Sequence, residues 1–270
     1  MLDVKVSILM GVYNCETTLQ ESIDSILNQT FKDWELIICD DGSIDSTREI
    51  AYQYVRSYPN KIFLLENGIN KGLNFTLNKC FTHARGKYIS RQDGDDISIP
   101  SRLQKLNDFL DEHPGYSIVS SKMIYFDQNG EFGDGSVKLY PNKRDFLFGA
   151  PFCHAASMFT KEAFASVNGY TISNYLLRVE DYDLWTKMYA KGYIGANIDE
   201  ALYKMRDDRN AYYRRKFKYR INETIALFKG YKRLNIKLPF YIFIFKPIIV
   251  GLLPNLLYNI LHKLKLNTNS

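Results

Sequence analysis

The sequence predicts an α/β fold: a Rossmann-like, mostly parallel central sheet with helices on both faces and a mixed edge. Short β-branched runs alternate with apolar residues at helical spacing four times in about the first hundred residues. The predicted strands end in polar or glycine-containing turns, as ligand-binding rims of such sheets do. With 46% hydrophobic and 24% charged residues, a 270-residue chain has the material for a large core and is not disordered.

Val4–Met10 reads as a buried strand, and Leu19, Ile23, Ile26 and Leu27 then recur at helical spacing as far as Gln29-Thr30. Trp34–Cys39 is a second strand, running into Asp40-Asp41-Gly42-Ser43. A helix over Arg48–Arg56 and a strand at Lys61–Leu65 follow. Leu73, Leu77 and Cys80 mark another helix, which Gly86 closes before the strand Lys87–Ser90. That strand leads into Arg91-Gln92-Asp93-Gly94-Asp95-Asp96, and a helix starts near Ser98-Ile99-Pro100.

Beyond Pro114 the pattern becomes that of a sheet edge. Strands are predicted at Ile118–Phe126 and Ser136–Leu139, joined by turns around Gly130, Gly133 and Gly135, and at Ala155–Thr160. A helix over Arg178–Lys191 is closed by Gly192, and two short strands are expected at Tyr193–Ile198 and Ala201–Met205. The predicted organisation is one domain over residues 1–206 and a helical extension over 207–270.

Cys15, Cys39, Cys80 and Cys153 are scattered without a CxxC pair, so neither a zinc site nor a disulfide framework is expected. The first residues lack the charged-then-apolar pattern of a signal peptide, which predicts folding in a reducing cytoplasm. No G-x-G-x-x-G or P-loop follows the first strand, which disfavours dehydrogenase and ATPase readings.

The acidic turn at Asp93–Asp96 is the strongest chemical signal. Asp and Gly are ordinary turn formers, and acids before a helix favour its positive end. Three clustered carboxylates also suit a divalent cation that bridges carboxylate and phosphate. Asp181 lies three, four and seven positions before Leu184, Trp185 and Met188, so it continues their apolar stripe, while Glu180, Asp183 and Lys187 fall on the other face. An acid on the inward face lines a cleft, where partial burial raises its pKa toward that of a base; the alternative is a simple dipole contact in the first turn. Trp185 reads as packing. His154 follows Pro151-Phe152-Cys153, and a lone histidine is more often satisfied structurally than used for binding.

The order of motifs is more specific than any one of them. Val6-Ser-Ile-Leu-Met-Gly-Val-Tyr-Asn is followed by Ser25-Ile-Leu-Asn-Gln-Thr and Trp34-Glu-Leu-Ile-Ile-Cys-Asp-Asp-Gly-Ser-Ile-Asp. Asn70-Lys-Gly-Leu, Ala84-Arg-Gly-Lys-Tyr-Ile, Asp93-Gly-Asp-Asp and Glu180-Asp-Tyr-Asp-Leu-Trp complete the series. Over about residues 4–206 the chain closely resembles the inverting family 2 glycosyltransferases of GT-A fold, of the bacterial surface-polysaccharide type.

The resemblance implies roles residue by residue. Asp40 and Asp41 match the acidic pair that recognises the nucleotide base, with Val12 and Tyr13 in the loop beside it. Asp93 and Asp95 match the D-x-D motif, Asp95 as metal ligand and Asp93 nearer the ribose, with Mn²⁺ or Mg²⁺ as the ion. Asp181 matches the catalytic base. Lys71, Arg91 and His154 stand where the family often contacts the diphosphate or the cleft. Implied too are a UDP-sugar donor and a lipid-linked saccharide acceptor. The Gln-x-x-Arg-Trp motif of the processive synthases is missing, which favours single addition.

Eight basic residues over 204–220 interleave with Tyr203, Tyr212, Tyr213 and Tyr219, a pattern that also occurs in nucleic-acid binders and solvated helices. The Phe-, Ile- and Leu-rich stretch Pro239–Leu266 favours a membrane surface instead. Lys246, Pro247, Gly251 and Pro254 interrupt it, so no uncharged run reaches the roughly 20 residues needed to span a bilayer. Interfacial association on the inner face of the cell membrane, without nucleic acid, is the expectation, against the alternative of a helix that caps the core or forms a dimer contact. The competing functions are a nucleotidyltransferase and a non-catalytic membrane-associated adaptor. The oligomeric state, the donor sugar and the acceptor are not encoded in any motif.

Overall fold

Strands β1 (Val6–Val12) and β2 (Trp34–Asp40) pair in parallel along their whole length in the computed structural model, which describes residues 4–207 and 217–252. They belong to a nine-stranded sheet that includes β3 (Ile62–Glu66), β4 (Tyr88–Arg91), β5 (Ile97–Ser98), β6 (Ile118–Asp127), β7 (Gly130–Asp134), β8 (Met158–Thr160) and β9 (Gly195–Arg206). The strand order is β3-β2-β1-β4-β8-β6-β9-β5, with β7 paired to β6. Strands β1 to β4 run parallel, β8 is antiparallel to both its neighbours, and β9 returns parallel to β6. The sheet is thus parallel on one side and mixed on the other, as the sequence predicts.

Alternation along β1 divides the core. Val6, Ile8, Met10 and Val12 face one apolar cluster, and Leu9 faces the other. The first cluster contains Leu19, Ile23 and Ile26 of helix α1 (Leu19–Leu27) and Leu103, Leu106 and Leu110 of α4 (Arg102–Glu112). Helix α2 (Thr47–Ser57) adds Ala51 to it. On the opposite face lie Leu77 and Cys80 of α3 (Leu73–His83), Ala163 and Phe164 of α5 (Lys161–Ser166), and Leu184, Trp185 and Met188 of α6 (Glu180–Ala190).

Helix α7 (Phe217–Arg233) packs on α6 and supplies Ala226, Leu227 and Tyr231 to this second cluster. The approach is close: a Cβ on Gly230 would lie 2.5 Å from the Tyr182 ring. Tyr231 Oη donates to Leu147 O (2.7 Å), and Arg233 Nη1 donates to Asp183 Oδ1 (3.1 Å) and Thr186 Oγ1 (2.7 Å). The chain then forms a 3₁₀ helix over Leu238–Phe245 and helix α8 (Lys246–Leu252).

Several local predictions need correction. Ser136–Leu139 is not a strand; the partner of β6 is Gly130–Asp134, reached through a tight turn in which Gly130 has φ of 101° and Asp127 caps Asn129 N. Residues 138 and 139 instead offer carbonyls to Asn197. Tyr193–Ile198 and Ala201–Met205 are one strand, β9. Its pairing with β6 jumps from Ser121–Ile198 to Lys122–Ala201, so Asp199 and Glu200 bulge outward and mimic a turn in sequence. The short β5 and α5 have no sequence counterpart among the predicted elements. Asp183 is buried rather than solvent-facing, because α7 covers that side of α6 and brings Arg233 to it.

Candidate active site

The carboxyl ends of β1, β2 and β4 lie side by side, and the chain reverses its direction of travel across the sheet between β1 and β4, where such sheets bind ligands. The acidic turn after β4 is held from below. Buried Gln92 donates to Ser22 Oγ (3.0 Å) and Asp96 O (2.9 Å) and accepts from Ser98 Oγ (2.6 Å). Ser22 and Thr18 of the α1 region donate to Asp93 O (2.7 Å) and Gly94 O (3.0 Å). Position 94 is tight: a Cβ there would lie 3.0 Å from Val12 Cγ1 and 3.1 Å from Cys15 Sγ, so both side chains would have to give way.

Two cavities open around this turn. The smaller, about 430 Å³, is bounded by Val12, Tyr13, Arg91, Asp93, Asp95 and Arg206 among others. The larger, about 770 Å³, includes Arg91, Asp93, His154, Glu180, Asp181 and residues of α7. Arg91 and Asp93 border both. Their side chains form a fork: Nε donates to Oδ1 at 2.6 Å and Nη2 to Oδ2 at 3.0 Å. Burial opposes the charge of Arg91, but Asp93, with Tyr170 and Glu180 behind it, outweighs that effect and holds the guanidinium pKa above its ordinary value.

The three acids of the turn separate in character. Asp96 is 3% exposed and accepts from Arg206 N (2.7 Å); burial, then the charges of Asp93 and Asp95, push its pKa well above the usual carboxylate range. Asp95 reaches solvent, yet the enclosing walls and the charge of Asp93 raise its pKa as well. Its carboxylate forms no ion pair among the described residues, and its carbonyl accepts from Arg206 Nε (2.9 Å).

In the larger cavity, Asp181 is partly buried in the first turn of α6, where Tyr182 N donates to Oδ1 at 2.7 Å. Burial, and then the Glu180 carboxylate, raise its pKa to about 7. His154 is neutral, its pKa driven well below the usual histidine value by burial and by Arg91. Arg91 Nη1 donates to Nδ1, which assigns the proton to Nε2 and directs it to Tyr170 Oη at 2.8 Å. His154 therefore steadies Arg91 and has no proton at Nδ1 to donate.

The structure brings Val12, Tyr13, Arg91, Asp93 and Asp95 to one cavity and Arg91, Asp93, His154 and Asp181 to the other. Asp40, Asp41 and Lys71 flank these cavities without bordering either. Asp40 accepts from Gly42 N and Ser43 N, and Asp41 accepts from Asn67 Nδ2, Lys71 N and Gly72 N, the last three all at 2.8 Å. The Lys71 ammonium lies over the Phe75 ring. Arg206, Tyr170, Arg102 and the α7 residues were missed. Arg206 sits within the basic run already visible in sequence, whereas Tyr170 and Arg102 carry no signal that distinguishes them from surface residues. Arg102 is fully buried and donates to Arg91 O (3.0 Å), Ala155 O (3.1 Å) and Gln92 Oε1 (3.3 Å), which fixes the end of β4.

A mostly parallel sheet with a mixed edge, carrying a cleft at its switch point and a second cavity beyond the Arg91–Asp93 pair, is similar to the GT-A fold of glycosyltransferases. The sequence matches the Glycosyl transferase family 2 model over residues 7–166, and the chain belongs to that family. It is 44% identical over 259 residues to "Putative glycosyltransferase EpsE" of Bacillus subtilis strain 168, covering 96% of this chain and 93% of that one. It is 35% identical over 262 residues to the Escherichia coli "UDP-Gal:alpha-D-GlcNAc-diphosphoundecaprenol beta-1,3-galactosyltransferase", with 93% and 92% covered. Among solved structures, the fold resembles the mannosyltransferase PcManGT from Pyrobaculum calidifontis in complex with GDP-Man and Mn²⁺, at a TM-score of 0.64 and 19% identity over 90% of this chain and 67% of that one. Family membership sets aside the nucleotidyltransferase and adaptor readings.

Proposed function

We propose that this glycosyltransferase moves a single sugar, with inversion, from a UDP-sugar in the smaller cavity to a saccharide acceptor in the larger one. The observation that carries this reading is the Arg91–Asp93 fork, a common wall between a nucleotide-scale cleft and a cavity holding Asp181. Inverting transfer needs a base on the acceptor side, distinct from the groups that meet the donor. Asp181, with a pKa of about 7, takes the proton of the acceptor hydroxyl as that oxygen bonds to the anomeric carbon and the bond to the nucleoside diphosphate breaks. Arg91 orients the donor, while Val12 and Tyr13 line its cleft. Asp40 and Asp41 hold the turn beside the base, with Lys71 at its end.

The donor set fits a divalent cation. Among the described residues no three acidic, His or Cys side chains could hold a metal by themselves. Mg²⁺ and Mn²⁺ sites in nucleotide enzymes rely on one or two carboxylates completed by substrate phosphates. Asp95, without an ion pair among the described residues and raised in pKa, suits that arrangement, with Asp93 beside it. When bound, the ion neutralises charge on the departing diphosphate.

The acceptor is a lipid-linked saccharide, as the name of the Escherichia coli relative states for that enzyme, and the setting is bacterial surface-polysaccharide assembly. Within the extension over residues 207–270, α7 completes the larger cavity, and the extension brings the enzyme to the inner face of the cell membrane. No described helix is long and apolar enough to cross a membrane. Leu238, Ile242, Ile249 and Leu252 are instead exposed next to Lys237 and Lys246, an arrangement suited to an interfacial contact. The part of the predicted tail beyond residue 252 lies outside the described residues. A screen of nucleotide sugars with Mn²⁺ and lipid-linked acceptors, read as nucleotide release, tests the reading. Release of UDP that depends on acceptor supports it; no acceptor-dependent release with any donor overturns it.

A further inference from the structure

The larger cavity has a wall that no sequence motif indicated. Tyr219, Arg220 and Glu223 of α7 face the same space as Asp181, and Arg178 ends the loop that leads into α6. Arg178 has φ of 68°, a conformation that a non-glycine residue keeps only when its surroundings impose it. Those surroundings are α7. The guanidinium lies over the Tyr219 ring, 5.2 Å from its centroid. Asn222 Nδ2 donates to Leu177 O (3.4 Å) and Asn174 O (3.5 Å), so the helix holds the loop in register.

The cations of the cavity are not equivalent. Arg91 is committed to Asp93. Arg220 pairs with Glu223 at 3.0 Å, a single contact to a partner that is 37% exposed, which leaves the rest of the guanidinium fork for a ligand. Arg178 forms no ion pair among the described residues. Two guanidiniums are therefore available on the α7 side of a cavity that also holds Glu180 and Asp181.

An apolar surface begins at the same place. Helix α8 rests on the start of α7: a Cβ on Gly251 would lie 2.9 Å from Arg220 Cγ and 3.2 Å from the Phe217 ring. Exposed Leu238, Ile242, Phe245, Ile249 and Leu252 belong to α8 and the 3₁₀ helix before it. Guanidinium groups beside an exposed apolar strip match one ligand chemistry, a phosphate or diphosphate carried on a long hydrocarbon chain.

We propose that Arg178 and Arg220 bind the phosphate or diphosphate of the acceptor, whose hydrocarbon chain lies along the exposed face of residues 238–252. This rests on the reading that the larger cavity takes the acceptor. Anchoring the phosphate at α7 directs the attached sugar toward Asp181, three residues beyond Arg178.

Calorimetric titration of the full chain, with UDP and Mn²⁺ saturating the smaller cavity, tests the proposal using farnesyl diphosphate, farnesol and inorganic pyrophosphate as probes. Farnesyl diphosphate is expected to bind at least tenfold more tightly than either of the others. Arg178→Gln and Arg220→Gln should each weaken it by at least tenfold and leave UDP affinity unchanged. Wild-type affinity in both variants, or farnesol binding as tightly as farnesyl diphosphate, overturns the phosphate site. Pyrophosphate binding as tightly as farnesyl diphosphate overturns the role of the apolar strip. UDP affinity, measured separately in the same samples, reports on the donor cleft and on folding, and acceptor-dependent UDP release by Asp181→Asn reports on the larger cavity as the acceptor site, so a failure of that reading is not mistaken for a failure of this one.

Discussion

Arg91 and Asp93, two residues apart, close on each other as a two-pronged ion pair at 2.6 and 3.0 Å, with His154 bracing the guanidinium from behind. Lysine can reproduce the charge but not the fork. Arg91→Lys should therefore leave the fold intact by circular dichroism and lower kcat/KM by about 100-fold, the scale of a misplaced site group. Arg91→Ala leaves Asp93 without its partner in a partly enclosed site and should cost about 3 kcal/mol of stability, read by chemical denaturation.

Activity should follow the ionisation of Asp181. With a pKa of about 7, the base form is lost as pH falls, so kcat/KM should drop about tenfold per pH unit below that value. Stability should run the other way. The folded pKa is above the roughly 3.9 of an unfolded aspartate, so the stability associated with protonated Asp181 is present at low pH and lost as pH rises through 7. Asp181→Asn should abolish transfer while raising Tm at pH 8 and leaving it nearly unchanged at pH 4. An acid limb that persists in a variant with residual turnover would assign the titration to another group.

Neighbouring acids in one turn should respond differently. Asp95→Ala should weaken Mn²⁺-dependent UDP binding by at least tenfold in equilibrium titration. Asp96→Asn should retain most activity and stability at pH 7, because burial and the neighbouring carboxylates already disfavour the charge of Asp96 and asparagine keeps the acceptor for Arg206 N.

Docking of α7 should be sensitive at Gly230. A methyl group there meets the Tyr182 ring at 2.5 Å, so Gly230→Ala should destabilise the protein by about 1–3 kcal/mol in thermal or denaturant unfolding. Loss of transfer is expected in step, since the same helix lines the larger cavity.

Membrane contact is better tested by substitution than by truncation. Ile244 is part of the core and Phe240, Tyr241 and Phe243 pack against it, so removing residues 236–270 would damage the fold. Replacing exposed Leu238, Ile242, Ile249 and Leu252 together with serine should abolish flotation with anionic liposomes at unchanged Tm. Undiminished flotation would remove this surface from the membrane contact.

The parallel half of the sheet was legible because strands buried on both faces are nearly continuous apolar runs. Leu36, Ile37 and Ile38 stand together without the polar break that a surface helix shows, and a turn follows at Asp40-Asp41-Gly42. The place of the acidic turn at a strand end and of Asp181 in a first helical turn was legible from motif order and helical spacing. The rest depended on contacts distant in sequence. Asp199 and Glu200 look like a turn because a bulge, invisible locally, pushes them outward. Asp183 looks solvent-facing until Arg233, fifty residues later, arrives to neutralise it. A buried Arg102 reads like any helix-surface arginine, since its partners are mostly backbone carbonyls.

The two cavities are completed at different times during synthesis. Nearly all of the smaller one is built from residues 11–95, within the first part of the chain to leave the ribosome, with only Arg206 arriving later. The larger one needs Arg178 to Tyr182 and then Tyr219 to Leu227. A chain ending near residue 166 would contain most of the residues that line the smaller cavity and would lack Asp181 and the α7 wall of the larger one. The larger cavity is thus complete only when α7, whose residues come about forty positions after Asp181, docks on α6.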